Sequence, residues 1–232
     1  MPKIEYKLVR TRRLSGSISI RIKNGEVLAS APFWVPKIAI DSFVNEKADW
    51  IEKSLKSQKP VEAGKKYITG ETHLLFGKEY LLEVITSTSP IRTIVKESGN
   101  KLVVDIYVGF NKEKLTKEIQ DAMLRFYLEK GIGYLTEKVN YYTSLLGVDY
   151  SKIEIKKVSS IWGSCSARNV LSFNRKLVMA PEEIIDYVII HEVCHLRERN
   201  HSSRFWGLVF RFDRKYKEHR RWLHINHAIL SL

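Results

Sequence analysis

The sequence predicts an α+β protein, with a strand-rich first half and a second half in which helices dominate. Two observations support this fold class: period-two alternation with turn signals recurs up to Asn111, and long stretches of helical spacing follow that residue. The hydrophobic share of 44% and the charged share of 28% are typical of a globular protein. From this change in character we predict a strand-rich region with one helix over residues 1–111 and a second region over residues 112–232.

The first elements of the chain are predicted to be a hairpin and a helix. Residues 17–23 alternate in polarity, Asn24-Gly25 is a strong two-residue turn signal, and residues 26–29 continue as a strand. Residues 36–55 have apolar side chains at helical spacing, which predicts a helix with one buried side.

Two further hairpins are predicted before Asn111. The first spans residues 72–84 and turns at Gly77-Lys78, and the second spans residues 91–106 and turns at Gly99-Asn100.

The second half is predicted to begin with a long helix over residues 112–146, which Gly147 ends. Short strands at residues 153–155 and 170–173 follow this helix. Pro181 then suits the first turn of a new helix, because its missing N–H costs nothing there. Further helices are predicted after Ser202 or Ser203, which can cap an N-terminus, and over residues 220–230.

Targeting signals give a plain expectation about location. The N-terminus lacks the apolar core of a secretory signal, and no apolar run approaches the roughly 20 residues that span a bilayer. Two cysteines, Cys165 and Cys194, are too few for a disulfide scaffold. We therefore expect a cytoplasmic protein with no membrane partner.

The net charge of +13 favours anionic partners, and nucleic acid is the first of these. The alternative is an ordinary solvated surface, because the basic residues are spread along the chain and form no recognised nucleic-acid motif. A nucleic-acid partner therefore stays open, and the sequence does not indicate an oligomeric state.

The segment 191–195, with the sequence HEVCH, carries the clearest chemical signal. Two histidines four residues apart on a helix lie about 40° apart around its axis, so their imidazoles can converge on one ion. Glu192 follows His191 directly and can approach a water beside that ion without being a ligand. Zinc lowers the pKa of such a water to about 7, and a glutamate can accept its proton. This pattern predicts metal ligands at His191 and His195 and a catalytic Glu192.

A catalytic zinc site needs a third protein ligand, for which His201 is the candidate. A continuous helix would turn His201 about 240° away from His195, so the chain must leave the helix between Leu196 and Asn200. The spacing equals that of the metzincin pattern, but Glu198 stands where that pattern has glycine. Three acidic residues remain alternatives for the third ligand: Glu198, Asp213 and Glu218.

Several stretches form a distinctive combination with this segment. They are residues 161–166 (IWGSCS), 171–174 (LSFN), Leu177, Ala180-Pro181, 187–196 (YVIIHEVCHL), 200–202 (NHS) and Phe205-Trp206. The chain resembles the YgjP-like metal-dependent hydrolases, which are relatives of the SprT and WLM zinc peptidases. The resemblance extends into the first half through residues 21–23 and up to residues 50–51. It implies a zincin-like metallopeptidase domain of helices and strands over residues 112–232.

The resemblance also implies one zinc ion per chain, with His191, His195 and His201 as ligands and Glu192 as the catalytic residue. It favours His201 over the acidic alternatives, which the spacing alone leaves open. Three imidazoles with an open position suit zinc, although Mn²⁺, Co²⁺ and Ni²⁺ remain alternatives.

Substrate contacts are expected near this site. In zincin folds an edge strand beside the active-site helix can pair with an extended substrate, and residues 170–174 are the candidate strand. Candidate substrate-binding residues are Trp162, Gly163, Ser164, Ser172 and Asn174. Trp162 is equally well explained as a core residue. Tyr187, Arg204 and His219 are possible stabilisers of an oxyanion.

Three classes of function compete. The first is a zinc hydrolase that cleaves peptide bonds in a peptide or protein substrate. The second is a nucleic-acid-associated protein with a structural metal, or a peptidase that acts on DNA-bound proteins. The third is a scaffold that has lost catalysis, against which the intact Glu192 argues mildly.

Overall fold

A computed structural model of the protein describes residues 4–12, 17–23, 26–57, 65–88, 93–107, 109, 111–158 and 161–230. The chain divides into two compact units, Met1–Ala63 and Gly64–Leu232. Both units contain strands and helices, which confirms the predicted α+β class. None of the helices in the described part of the chain is long and apolar enough to cross a membrane.

The first unit is a small sheet with two helices. Its elements are β1 (Lys7–Thr11), β2 (Ser19–Lys23), β3 (Glu26–Pro32), α1 (Lys37–Glu46) and α2 (Ala48–Ser57). The sheet has the order β1-β3-β2, with β1 parallel and β2 antiparallel to β3. Lys23 pairs with Glu26, as the predicted hairpin requires, and its turn at Asn24-Gly25 lies outside the described residues.

The single helix predicted over residues 36–55 is two helices that meet at Lys47. The N–H of Lys47 bonds to the carbonyls of Phe43 and Val44, which closes the last turn of α1. The apolar spacing was nevertheless informative, because Val44 of α1 and Ile51 of α2 are both buried in one core.

The second unit begins with a four-stranded sheet. Its strands are β4 (Thr72–Leu75), β5 (Lys78–Ser87), β6 (Ile94–Ser98) and β7 (Lys101–Tyr107), in the order β4-β5-β7-β6. Both predicted hairpins are present: β4 pairs with β5 and β6 pairs with β7, each antiparallel. The second turn lies at Gly99-Asn100 as predicted, whereas the first lies one residue earlier than predicted, at Phe76-Gly77.

The long helix α3 (Lys112–Leu146) has the predicted bounds. The side chain of Asn111 accepts a hydrogen bond from the N–H of Lys114 at the start. Gly147 ends the helix with a left-handed backbone at φ 62°, which glycine adopts at little cost.

Helix α3 explains why the sheet β4–β7 belongs with the second unit. The buried residues of this sheet, such as Leu82 and Val104, share one core with Met123 and Tyr127 of α3. The hydroxyl of Tyr127 also donates to the carbonyl of Leu74 in β4 at 2.8 Å. The boundary between the two compact units therefore falls before this sheet.

The remaining elements surround the histidines of interest. They are β8 (Lys152–Lys156), β9 (Gly163–Cys165), β10 (Val170–Asn174), a 3₁₀ helix (Arg175–Met179), α4 (Glu182–Cys194), α5 (Ser203–Phe212) and α6 (Tyr216–Asn226). The three strands form a sheet with the order β8-β10-β9. The sequence did not predict β9 or the 3₁₀ helix, because three to five residues are too few to establish a periodicity.

Candidate metal centre

Helix α4 places the first part of the candidate site. The helix was predicted to have Pro181 in its first turn, and it begins one residue later, at Glu182, with Pro181 as the N-cap. Two acidic residues in its first turn suit the positive end of the helix dipole. Most of its side chains are buried in the core of the second unit: Ile184, Ile185, Tyr187, Val188, Ile189, Ile190, Glu192, Val193 and Cys194. Its position is therefore fixed by burial of apolar surface on several sides.

Three histidine side chains converge at the end of α4. His191, His195 and His201 each offer one ligand atom, and these atoms all lie within 4.8 Å of one another. The Nε2 atoms of His191 and His201 are 3.0 Å apart. We call these three residues the histidine cluster. It is the one such grouping of metal-ligating side chains in the described part of the chain, and Glu198, Asp213 and Glu218 do not belong to it.

The segment after α4 brings His201 back to the helix. Arg197 and Glu198 donate their N–H groups to the carbonyl of Cys194, which forms a tight turn. The Nδ1 atom of His195 lies 3.0 Å from the carbonyl oxygen of Glu198, so Nε2 of that ring is left for a ligand. Ser202 then caps the N-terminus of helix α5, since its hydroxyl accepts a hydrogen bond from the N–H of Phe205. Helix α4 thus ends at Cys194, slightly before the interval from Leu196 to Asn200 in which the spacing argument expected the chain to leave it.

Arg199 ties this segment to the loop between β9 and β10. Its guanidinium donates to the carbonyl of Ser166 at 2.8 Å and to the side chain of Asn169. It also lies 3.3 Å from the sulfur of Cys165. The sequence did not single out Arg199, because its partners stand about 30 residues earlier and no local pattern connects them.

Two aromatic rings of α5 support the histidine cluster. Phe205 is fully buried and stacks on His195, with the ring centroids 4.3 Å apart. Trp206 stacks on His201 at 5.6 Å and contacts His191 at 5.8 Å. Such packing limits the rotamers of the imidazoles and holds them in one arrangement.

The electrostatics keep the buried imidazoles neutral. Burial lowers the pKa of His191 to about 3, and repulsion from a proton on His195 or His201 and from the charge of Arg220 adds to this effect. Burial also lowers the pKa of His195. Neutral imidazoles present free lone pairs, which is the form in which histidine binds a metal ion.

The residues present fit a zinc ion. Tetrahedral ligation with Zn–N distances of about 2.0–2.1 Å separates two nitrogen ligands by about 3.3 Å. The 3.0 Å between the Nε2 atoms of His191 and His201 is close to that value.

Glu192, which follows His191 in α4, is buried. Its side chain is only 5% exposed, and burial raises its pKa to about 8. Gly163 of β9 contacts this carboxylate so closely that an added Cβ would lie 2.6 Å from Oε1. Because Gly163 has no side chain, the carboxylate of Glu192 can occupy this space.

The structure corrects one expectation about the substrate strand. Residues 170–174 were expected to form an edge strand, but β10 is the middle strand of its sheet and pairs with both β8 and β9. Its backbone groups are thus already used. The edge strand is β9, which was too short to be predicted.

The five candidate substrate-binding residues separate into two groups. Ser172 and Asn174 are buried: Ser172 donates to Glu154, and the Nδ2 of Asn174 donates to the carbonyls of Val158 and Ile161. These bonds give both side chains a structural role.

Of the other three residues, Gly163 lies directly against Glu192. Trp162 is partly buried and packs against the core, while its carbonyl accepts a hydrogen bond from the N–H of Asn174. Gly163 and Ser164 belong to β9, where Ser164 pairs with Ser172.

Helix α6 supplies His219, one of the possible oxyanion stabilisers named from the sequence, and Arg220, which the sequence patterns did not single out. The Nδ1 of His219 lies 2.8 Å from a carboxylate oxygen of Asp213. The ring centroid of Tyr187 lies 6.3 Å from that of His219 and 6.1 Å from that of His191. Arg220 lies over the ring of Trp206 at 5.5 Å. Their arrangement depends on how α6 packs against α4, which has no signature in the local sequence.

Comparisons with known proteins support a peptidase family. No curated protein matches the chain. Among solved structures, the metallopeptidase zymogen of Pyrococcus abyssi abylysin matches with 22% identity and a TM-score of 0.36, over 39% of this chain and 92% of that chain. That likeness is too distant to carry an argument. The model of the YgjP-like metallopeptidase domain, by contrast, matches residues 16–226. Because this match spans most of the sequence, the chain belongs to the YgjP-like family of metallopeptidase domains.

Proposed function

We propose that the protein is a zinc-dependent peptidase in which His191, His195 and His201 hold one zinc ion and Glu192 is the general base. The family supports a metal-dependent peptidase in general terms. The observation that carries the finer proposal is the convergence of three imidazoles within 4.8 Å of one another, on the same helix end as a buried carboxylate.

The chemistry divides between the metal and the chain. A bound zinc ion lowers the pKa of a coordinated water to about 7 and polarises a carbonyl group. Glu192 accepts one proton from the water that attacks the peptide carbonyl carbon. It then gives this proton to the leaving nitrogen as the C–N bond breaks.

The surroundings of Glu192 suit this double role. Burial raises its pKa to about 8, and a nearby divalent cation opposes that shift. A carboxyl group balanced between these two influences can both take and return a proton near neutral pH.

The free edge of β9 is the proposed substrate-binding strand. Within the described residues β9 pairs only with β10, and Gly163 of β9 lies against Glu192. An extended peptide that adds to this edge would receive main-chain hydrogen bonds from residues next to the base. Trp162, Gly163 and Ser164 are therefore the proposed contacts.

The substitution Glu192→Gln tests the proposal, with Glu198→Gln as the matched control. We expect Glu192→Gln to lower the cleavage rate of a randomised peptide library by about 100-fold to 10,000-fold, because the base is lost. The zinc content should stay at one ion per chain, since Glu192 is not a ligand. Glu198→Gln should leave both quantities unchanged, because only its backbone carbonyl contacts the histidine cluster.

Cleavage by Glu192→Gln at the rate of the unmodified protein would refute its role as base. The metal site itself would be refuted if the protein, stripped with a zinc chelator and then reloaded, bound no stoichiometric amount of zinc.

A second function is favoured by one observation. Nine basic residues on and around α5 and α6 are exposed: Arg197, Arg199, Arg204, Arg211, Arg214, Lys215, Lys217, Arg220 and Arg221. A nucleic-acid-associated peptidase or binding module would use such a surface. A gel-shift titration with unrelated duplex DNA at rising salt tests it: salt-sensitive binding supports it, and no binding at low salt excludes it.

A further inference from the structure

Arg220 is an exposed cation next to the histidine cluster. Its guanidinium carbon lies 5.5 Å from the ring centroid of Trp206, and Trp206 stacks on His201 at 5.6 Å. The contact with the ring face holds the guanidinium in place by a cation–π interaction.

Asp213, the acidic residue between α5 and α6, already has partners. One carboxylate oxygen of Asp213 bonds to His219 at 2.8 Å, and the other accepts from the N–H of Lys215 at 2.9 Å. Among the described residues, no carboxylate forms an ion pair with Arg220. Its planar fork of donors is therefore available to an anion from outside the protein.

Building on the proposed peptidase function, we propose that Arg220 binds a carboxylate of the substrate beside the metal centre. The enzyme then prefers peptides with an acidic side chain, or a free C-terminal carboxylate, close to the cleaved bond. A guanidinium matches a carboxylate with two parallel hydrogen bonds, which gives both attraction and orientation. The surplus of positive charge on α6, with Lys217 and Arg221 also exposed, would draw acidic peptides towards the site.

The surroundings of Arg220 favour a peptide carboxylate over a nucleic-acid phosphate. Single-stranded nucleic acids bind by stacking their bases on exposed aromatic rings along a basic groove. The nearest large ring, Trp206, is already stacked by His201 and by Tyr216, at 5.6 and 5.1 Å. That ring is thus unavailable as a platform for bases.

A binding measurement tests this role without relying on turnover. The probes are the monohydroxamates of malonic, succinic and glutaric acid, each compared with the hydroxamate in which an amide replaces the carboxylate. A hydroxamate chelates zinc, and the chain length sets how far the carboxylate reaches. With the zinc-loaded protein in a calorimeter, we expect one acid to bind at least about 10-fold tighter than its amide.

The variants assign that difference to Arg220. Arg220→Gln should abolish the preference for the acid, whereas Arg221→Gln, a neighbouring exposed arginine on α6, should keep it. Equal binding of every acid and amide pair, or a preference that survives Arg220→Gln, would overturn the proposal. Displacement of the probes by duplex DNA that depends on Arg220 would also overturn it, in favour of a phosphate ligand. If no hydroxamate binds, the metal site and hence the proposed function fail instead.

Peptide cleavage then separates the two sources of carboxylate. One pair of peptides differs by Glu or Gln beside the cleaved bond, and another pair has a C-terminal acid or amide. In each pair, the kcat/KM of the acidic peptide is divided by that of its neutral counterpart. The pair with the larger ratio identifies the source of the carboxylate. If the carboxylate belongs to a side chain, Arg220→Glu should bring that ratio below one and favour a peptide with Lys at the same position. Loss of a merely structural arginine would not reverse the preference in this way. Unchanged ratios for both pairs would overturn the proposal.

Discussion

The two halves of the histidine cluster are held by different kinds of contact. His191 and His195 come from the end of α4, a helix whose side chains are buried almost throughout. His201 is exposed and lies in the connection to α5. That connection is positioned by polar contacts of Arg199 and by the rings of Phe205 and Trp206. The first half is thus fixed by the core, whereas the exposed second half depends on the hydrogen bonds of Arg199 and on two rings of α5.

This difference implies that the two halves respond differently to substitution. A buried helix transmits the loss of a contact to the stability of the whole unit. A surface segment held by hydrogen bonds loses its local geometry first, and the rest of the unit keeps its fold.

The largest effect should come from replacing a single metal ligand, either His195 of the first half or His201 of the second half. We expect His195→Ala and His201→Ala each to weaken zinc binding by more than the roughly 10–100-fold that loss of a supporting partner costs. His195→Ala should lower the thermal stability of the metal-free protein more than His201→Ala does, because the half-buried ring of His195 stacks on the buried Phe205 at 4.3 Å whereas His201 is exposed. Competition with a zinc chelator and thermal denaturation measure the two effects. Unchanged zinc affinity in His201→Ala would exclude that residue as the third ligand.

Gly163→Ala should separate the base from the metal. The new Cβ would lie 2.6 Å from Oε1 of Glu192, so the carboxylate must move while the histidines need not. A misplacement of about 1 Å costs about 100-fold in rate, and we expect kcat to fall by that order with zinc affinity unchanged. Gly207→Ala in α5 is the control, since its Cβ meets nothing within 4 Å. Equal kcat values for the two variants would show that Glu192 needs no such space.

The same contrast explains which parts of the site the sequence predicted. The spacing of His191 and His195 translates directly into one face of a helix, so this half was predicted from geometry alone. Spacing required the chain to turn back before His201 but left three acidic rivals. The resemblance to a family favoured His201, and the structure places its ring with the other two.

The surrounding elements follow the same rule. Helix α3 was predicted with its observed bounds because it is long, periodic and capped at both ends. The edge strand was misassigned, because the three residues of β9 show no pattern and the order of strands depends on distant pairing. Arg199 and Arg220 were likewise missed as contacts, since each acts through a partner brought near only by the tertiary fold.

Arg199→Ala should loosen the exposed half alone. The guanidinium joins the segment before His201 to the carbonyl of Ser166 and to Asn169, so its loss frees that segment. We expect zinc to bind about 10-fold more weakly, at the lower end of the range for supporting residues, with little change in thermal stability of the metal-free protein. Arg204→Ala, a nearby exposed arginine, is the control. A zinc affinity equal to that of the control would show that the rings of α5 suffice to place His201.

Asp186→Asn should affect the buried half in the opposite way: it should lower the stability of the protein without changing zinc binding or catalysis. Its carboxylate accepts hydrogen bonds from Tyr134 at 2.9 Å and Tyr142 at 3.3 Å, which join α4 to α3. Asparagine keeps the shape but loses the charge, and hydrogen bonds to charged groups are stronger by about 1 kcal/mol each than neutral ones. The free energy of unfolding in urea should therefore fall by about 1–2 kcal/mol, while zinc affinity and kcat/KM stay constant. A loss of activity at full stability would mean that α4 is not held rigidly by its core, and the contrast between the two halves would fail.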